Sequence, residues 1–289
     1  MPVHAVTLEK SLFFQDDGYP IVVERREPQP PFPLHRHKFA ELVIITAGSG
    51  LHAIRKEEYP VSAGDVFVIT DNAPHEYRNM NALELINIMY DPILLDMESW
   101  DVRSLPGYRA LFKLEPAYRR RHKFASRLRL NIENLAAVIA MIDRLDDELI
   151  RRQPGFQLMG LSRFMEMVVF LSRCYGNLRA TSSLLLMRIA ESITHIEQHF
   201  TENISLDELA SIAHMSLRTF TRTFRAAMGD SPMNYLIGLR VARAAKMIRE
   251  GDSKITEIAF QSGFSDGSYF TRQFKRIMGC TPIQYKHRI

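Results

Sequence analysis

Up to about Tyr90, apolar residues come in short runs broken by Gly, Pro, Asn and Asp. This pattern predicts strands over Glu41–Ala47, His52–Lys56, Asp65–Thr70 and Leu83–Met89, and hence a small all-β barrel or sandwich. Between Asp91 and Arg121 the pattern turns irregular, and Pro92, Pro106 and Pro116 interrupt any long element, so this stretch reads as connecting structure. From about Arg127 the period changes. Leu128, Leu135, Ile142 and Leu149 recur every seven residues, with Val138 and Leu145 at the intermediate position, which predicts a long amphipathic helix. Pro154 and Gly155 end it. A second apolar helix is expected over Phe156–Arg173, stopped by Gly176 and Asn177, and a short polar linker then runs to Ser183. The heptad seam has two readings, a face packed on its own domain or a homodimer contact.

Past the linker the chain reads as helical to its end and contains an internal repeat. Phe220, Phe224, Gly229, Pro232 and Tyr235 recur as Phe270, Phe274, Gly279, Pro282 and Tyr285, each pair fifty residues apart. Upstream, Leu209-Ala210 matches Ile258-Ala259 and Ser216 matches Ser265 at an offset of forty-nine, so the second copy has one extra residue near the start of its second helix. Each copy has the grammar of a helix-turn-helix. Ser205 and Glu208 form a capping box, Ala210 and Ala259 allow close helix approach, and Gly263 is expected at positive φ in the second turn. With the phenylalanine pairs inward, Arg218, Thr221, Arg222 and Arg225 fall on the outer face of one helix. Ser268, Thr271, Arg272 and Lys275 do the same on the other. Such side chains reach phosphates and base edges in a major groove, and a duplicated basic face is hard to explain as mere solvation. Pro232–Glu250 between the units predicts about four turns of helix, some 24 Å, against the roughly 34 Å between successive grooves on one DNA face. Arg240 and Arg243 on it are expected to be solvated charges, or less commonly phosphate contacts.

Composition narrows the class. A length of 289 residues with 46% apolar residues suits more than one domain. The net charge of +4 is unevenly spread: from Leu178 onward there are 15 Lys and Arg against 10 Asp and Glu, while the preceding stretch has 22 against 23. A polyanionic partner is thus expected of the C-terminal part. Two distant cysteines, no leader-like N-terminus and no run of eighteen apolar residues predict a soluble cytoplasmic protein with no membrane partner.

His35, His37 and Glu41 form a His-x-His-x-x-x-Glu run, followed by Gly48 and later by His75 with Asn79. The arrangement resembles the two cupin motifs, whose histidines and glutamate converge inside a barrel on a divalent metal. It departs from them at Asp71-Asn72-Ala73-Pro74, where a Pro-x-Gly turn belongs. Three readings stay open: a sugar-like effector held by hydrogen bonds, a bound metal with or without a ligand, or core polar residues without a ligand. Phe39, Phe67, Tyr77 and Tyr90 could pack a sugar's apolar face.

The second copy, Ile258-Ala259 through Gly263-Phe264-Ser265-Asp266, Ser268-Tyr269-Phe270, Arg272 and Phe274-Lys275 to Gly279, Thr281-Pro282 and Tyr285, resembles the AraC/XylS family of transcription regulators. Glu41–Ile44, Gly50–His52, Gly64-Asp65, Asn87–Tyr90 and Pro92 extend the likeness to that family's sugar-sensing members, the regulators of L-rhamnose catabolism. The resemblance implies a mixed α+β chain: a cupin-like β-barrel sensor at 1–120, a helical connector or dimerisation region at 121–177, and an all-α DNA-binding domain with two helix-turn-helix units at 178–289. It implies base contacts from Arg218, Thr221, Arg222, Ser268, Thr271 and Arg272, an effector at His35, His37, Glu41 and His75, and a contact of Asp266 with RNA polymerase, where a simple helix cap is the alternative. The expected partners are double-stranded DNA, a small effector such as a sugar, RNA polymerase and a second copy through Leu128, Leu135, Val138, Ile142, Leu145 and Leu149. An activator without a required cofactor is expected; a divalent metal on the histidine cluster is the lesser alternative. The rival class is a metal-dependent cupin enzyme with an accessory DNA-binding domain, but no acid/base pair stands out to support catalysis.

Overall fold

The computed structural model describes residues 5–54, 57–70, 72–116, 128–176, 181–251 and 254–287. Lys56, Asp71, the start of the expected connector at 121–127 and the expected linker as far as residue 180 lie outside them. The chain forms two compact units, Met1–Met187 and Arg188–Ile289.

The first unit is built on a single eight-stranded sheet. Its strands are β1 (Val6–Leu8), β2 (Ile21–Arg26), β3 (His35–His37), β4 (Ala40–Ile54), β5 (Glu57–Ser62), β6 (Asp65–Ile69), β7 (His75–Tyr90) and β8 (Leu128–Arg129). The two strands expected over 41–56 are one long strand, and Leu83–Met89 is the far half of another. β4 and β7 pair antiparallel from Ala40 opposite Tyr90 to Ile54 opposite His75. Being this long, they serve two leaves. One leaf adds β2, β6 and β8 around Ala40–Ile45 and Leu85–Tyr90. The other adds β5, β3 and β1 around Ser49–Ile54 and His75–Asn81. The register breaks between Ile45 and Leu51 mark the change of leaf. There Gly48 sits at φ +69, where a Cβ would lie 1.9 Å from Ala82 O, so only glycine lets the paired strands cross this closely. Val43, Ile45, Val61, Phe67, Ile69, Leu83 and Leu85 form a core cluster of this unit. Among the described residues β5 pairs only with β4, and that edge position accommodates Pro60 within a strand.

Helix α1 (Pro92–Leu95) and helix α2 (Pro106–Tyr108, continued by a π-helical stretch over Arg109–Leu114) occupy the expected connecting stretch. Pro92 and Pro106 start these helices instead of breaking them, because a first-turn residue needs no N–H partner. Helix α3 (Ile132–Arg151) and helix α4 (Phe156–Gly176) follow. The heptad seam is corrected here. Leu128 lies in β8, Val138, Ile142 and Leu145 are fully buried inside this unit, and Leu135 and Leu149 are half-buried. α3 packs against α4 and β2, and Arg25 of β2 holds Asp143 at 2.6 Å and Asp146 at 3.3 Å. Leu128, Val138, Ile142 and Leu145 therefore serve an intramolecular core, while Leu135 and Leu149 stay partly exposed at its edge.

The second unit is helical: the end of α5 (Thr181–His199), then α6 (Leu206–Ile212), α7 (Leu217–Met228), α8 (Pro232–Glu250), α9 (Ile255–Gln261), α10 (Gly267–Met278) and α11 (Pro282–Lys286). The Ser205–Glu208 capping box is present, and Phe220, Phe224, Phe270 and Phe274 are all buried. α8 is helical over the whole expected span: its 19 residues make just over five turns, about 28 Å, where about four turns were expected. The offset in the repeat has a structural form. Ser216 caps α7, whereas the cap of α10 is Asp266, one residue after the matching Ser265. Among the described residues, no helix is long and apolar enough to cross a membrane.

Candidate functional site

His35, His37, Glu41 and His75 come together as their spacing suggested. His35 and His37 project to one side of β3, and His35 stands opposite His75 in the sheet. Glu41 enters from the other leaf, where it is paired with Met89 and Ile69. One ligand atom from each of the four lies within 4.8 Å of all the others, and all four residues are buried. The ring orientations share one logic. Nδ1 of His35, His37 and His75 contacts the carbonyl oxygen of Pro33 (3.0 Å), Phe39 (2.7 Å) and Ala73 (3.0 Å) respectively. A carbonyl only accepts, so each Nδ1 carries the proton and each Nε2 is left as a lone-pair donor. His37 Nε2 lies 3.3 Å from Glu41 Oε1, off the angle a hydrogen bond needs, and His75 Nε2 lies 3.8 Å from Oε2.

The electrostatics separate the members. Burial holds His75 neutral, its pKa down at about 3, and lowers His35 as well. Burial also opposes a charged His37, but the adjacent Glu41 carboxylate outweighs it and raises the pKa. Burial opposes the Glu41 anion too, and His37, His75 and His35 outweigh that and keep its pKa low. The cluster is thus a buried carboxylate ringed by imidazoles fixed in one tautomer. This donor set fits a divalent first-row cation, with backbone carbonyls as the outer partners that orient each ring.

Of the aromatic residues considered, Phe39 stacks on His37 at 4.2 Å, whereas Tyr90 packs on Phe164 away from the cluster. Phe67 and Tyr77 stack on a residue that sequence reasoning did not single out. His52 lies 4.8 Å from Phe67, 5.0 Å from Tyr77 and 5.7 Å from His75 between ring centroids. Its signal was alternation: His52 and Ile54 share a face of β4, and His75 and Tyr77 share a face of β7, the strands in register.

In the second unit, Arg218, Arg222 and Arg225 on α7, and Ser268, Arg272 and Lys275 on α10, are exposed; Thr221 and Thr271 are half-exposed beside them. The predicted outer faces are therefore outer faces. Both threonine hydroxyls donate back to their own helix, to Leu217 O and Gly267 O, at 2.9 Å each. Arg272 lies over the Tyr269 ring at 5.7 Å, which adds an aromatic side chain to the second face. Asp266 accepts from the Tyr269 N–H as the cap of α10. Gly263 adopts φ +91 as expected. Arg240 departs from expectation: its guanidinium is turned inward onto backbone carbonyls.

Comparison with known proteins agrees along the chain. Residues 18–166 match the family model described as an AraC-like ligand binding domain, and residues 209–288 match a helix-turn-helix domain. The HTH-type transcriptional activator RhaR of Mannheimia succiniciproducens is 28% identical over 276 residues, 96% of this chain and 95% of its own length. The activator RhaS of Escherichia fergusonii is 30% identical over 95% of this chain and 94% of its own. The solved DNA-binding domain of AdpA in complex with a target DNA is 32% identical, covering 35% of this chain and 91% of that one, with a TM-score of 0.34. With relatives of this kind aligned over nearly the whole chain, the cupin-enzyme alternative falls away. The chain belongs to the AraC-type family of DNA-binding transcription regulators, an AraC-like ligand-binding domain followed by a helix-turn-helix domain.

Proposed function

We propose that this regulator is an activator that reads DNA through the outer faces of α7 and α10 and answers a small effector, of the sugar class, bound in its β-unit. The duplicated exposed face carries the first part: Arg218, Thr221, Arg222 and Arg225 are matched by Ser268, Thr271, Arg272 and Lys275 on a common framework. The names of its relatives, RhaR and RhaS, support activation. An effector changes promoter occupancy only through different affinities for two states of the protein. Asp266 spends one carboxylate oxygen on its cap, and the exposed remainder is the surface for RNA polymerase. Self-association is read by sedimentation of the full-length protein.

One observation favours a second reading of the cluster itself. Ligand atoms within 4.8 Å of each other leave room for an ion, not for a sugar ring. On this reading His35, His37, His75 and Glu41 hold a divalent cation, which would supply a Lewis-acidic centre, and a polyol would sit beside it near Phe39. Thermal shift of full-length protein against sugars, with divalent cations or with chelator, tests both. A ligand at a hundred times its Kd adds about 2.7 kcal/mol of stability. A sugar shift that persists in chelator supports direct binding, and a shift by cation that Glu41→Gln abolishes supports the metal. No shift by any sugar refutes the sugar class.

A further inference from the structure

The two helix-turn-helix turns carry unlike residues at the same station, His214 at φ +50 and Gly263 at φ +91. Their backbone hydrogen bonds match. His214 N–H donates to Ser211 O and Met215 N–H to Ala210 O; Gly263 N–H donates to Phe260 O and Phe264 N–H to Ala259 O. A left-handed turn residue therefore does not by itself demand glycine here. The difference lies in the surroundings. His214 is exposed, whereas a Cβ on Gly263 would lie 2.7 Å from Phe200 O, 2.8 Å from Thr201 Cα and 2.9 Å from Arg240 Nε. The second turn is pressed against the segment that leaves α5, and glycine is what allows it.

Arg240, on the helix between the units, closes this junction. Its Nε donates to Phe200 O at 2.6 Å and its Nη2 to Glu202 O at 2.7 Å. These carbonyls lie just past the C-terminal end of α5 and belong to the first helix-turn-helix half, whereas the same guanidinium lies 5.9 Å over the Phe264 ring of the second. Phe264 is itself in the core cluster with Phe270 and Phe274 of α10. One planar cation thus links the first half, the spacer and the second half through two charge-assisted bonds and a ring face.

We propose that Arg240 is the positioning residue that fixes α10 relative to α7, and with it the base-pair spacing that the two units accept on DNA. Without the clamp, α8 still connects the units, but the second turn can rock on the Phe200–Glu202 segment. This rests on α7 and α10 both facing DNA.

The test uses full-length protein and an operator selected from random duplex DNA by the wild type. Three kinds of duplex are compared: that operator, versions with one base pair inserted or deleted between the two contacted segments, and versions with one segment scrambled. Wild type is expected to lose tenfold or more on a spacing change. Arg240→Met, which keeps the side chain's apolar reach without its donors, should lose less than threefold while binding the scrambled duplexes within twofold of wild type. Gly263→Ala should relax spacing in the same way. A merely structural role would weaken the scrambled duplexes as well. If Arg240→Met does not fold, Arg240→Lys decides, with an intermediate spacing penalty expected. A wild-type spacing penalty in a folded Arg240 variant overturns the proposal. Separately, scrambled-duplex binding that survives Arg222→Ala and Arg272→Ala refutes the DNA-facing assignment instead.

Discussion

Thr221 and Thr271 stand fifty residues apart at the same place on α7 and α10, and each spends its hydroxyl proton on the carbonyl four residues back. What they offer outward is a methyl group and a lone pair, which suits an apolar contact with a thymine C5-methyl better than donation to a base. The two single-atom changes separate these roles. Valine keeps the methyl and the β-branching and loses the hydroxyl; serine keeps the hydroxyl and loses the methyl. At about 0.8 kcal/mol per buried CH₂, one Thr→Ser change should cost about fourfold in affinity, and the pair about 1.6 kcal/mol, or about fifteenfold. Thr221→Val with Thr271→Val should stay within about twofold, since the lost back-bonds are exposed at Thr221 and only part-buried at Thr271, and valine has a similar helix propensity. Fluorescence anisotropy with the selected operator at one fixed salt concentration reads the difference, and circular dichroism checks that helix content is unchanged. Tenfold loss in the double valine variant, with wild-type binding in the double serine variant, would refute the reasoning and mean that the hydroxyls bond directly to DNA.

The basic face should divide by role: Arg225→Ala and Lys275→Ala are each expected to lower the salt slope of DNA binding by about 0.9, as lost phosphate contacts do. Arg222→Ala and Arg272→Ala should cost about 1–3 kcal/mol on the selected operator and relax base preference, and equal losses on unrelated DNA would contradict this. Leu145→Ala, at a fully buried position, should destabilise the first unit by about 2–5 kcal/mol in urea denaturation without altering sedimentation; the opposite pair of results would restore the seam to an intermolecular role. In chelator-treated protein, acid should weaken the fold. His75 has its pKa lowered to about 3, so between that value and the unfolded 6.5 the unfolded chain binds more protons, and stability falls from pH 7 to pH 5 by about 2 kcal/mol. His37, raised, works the other way: its contribution grows as pH falls from 7 through the unfolded value and is complete only below it, so it offsets part of this fall. His75→Asn should flatten the dependence, and an unchanged slope in that variant would assign it elsewhere.

The C-terminal architecture was legible because its signals are local and doubled. Inward phenylalanines, caps and turn glycines each act within a helical turn or two, and two copies fifty residues apart check one another. The four residues of the histidine cluster were legible for a similar reason, since three sit within seven positions and the fourth opposes the first. His52 was not, because its place beside His75 depends on the register between β4 and β7, which is set by the bulge at Gly48 and carries no mark near His52. The heptad of leucines misled in part. A period of seven describes any helix with one buried stripe, and what the stripe faces is settled by tertiary contacts, the burial of Val138, Ile142 and Leu145 and the ion pairs of Arg25 with Asp143 and Asp146. Arg240 was misread because its partners are backbone carbonyls, which no side-chain pattern announces.

Framework positions of the repeat are copied letter for letter at Phe220, Phe224, Gly229 and Pro232, while of the outward positions Thr221 and Arg222 are kept as Thr271 and Arg272 and the flanking ones have changed, Arg218 against Ser268 and Arg225 against Lys275. Scaffold and reading surface are therefore separable inheritances. Half of an operator can change by substitutions on one helix while the other half continues to anchor the protein, so such a regulator can acquire new target sites by stages, without passing through a form that binds nothing. Grafting the outward residues of α10 onto α7 should likewise yield a protein that reads one half-site twice, provided that the turn at Gly263 stays where it is.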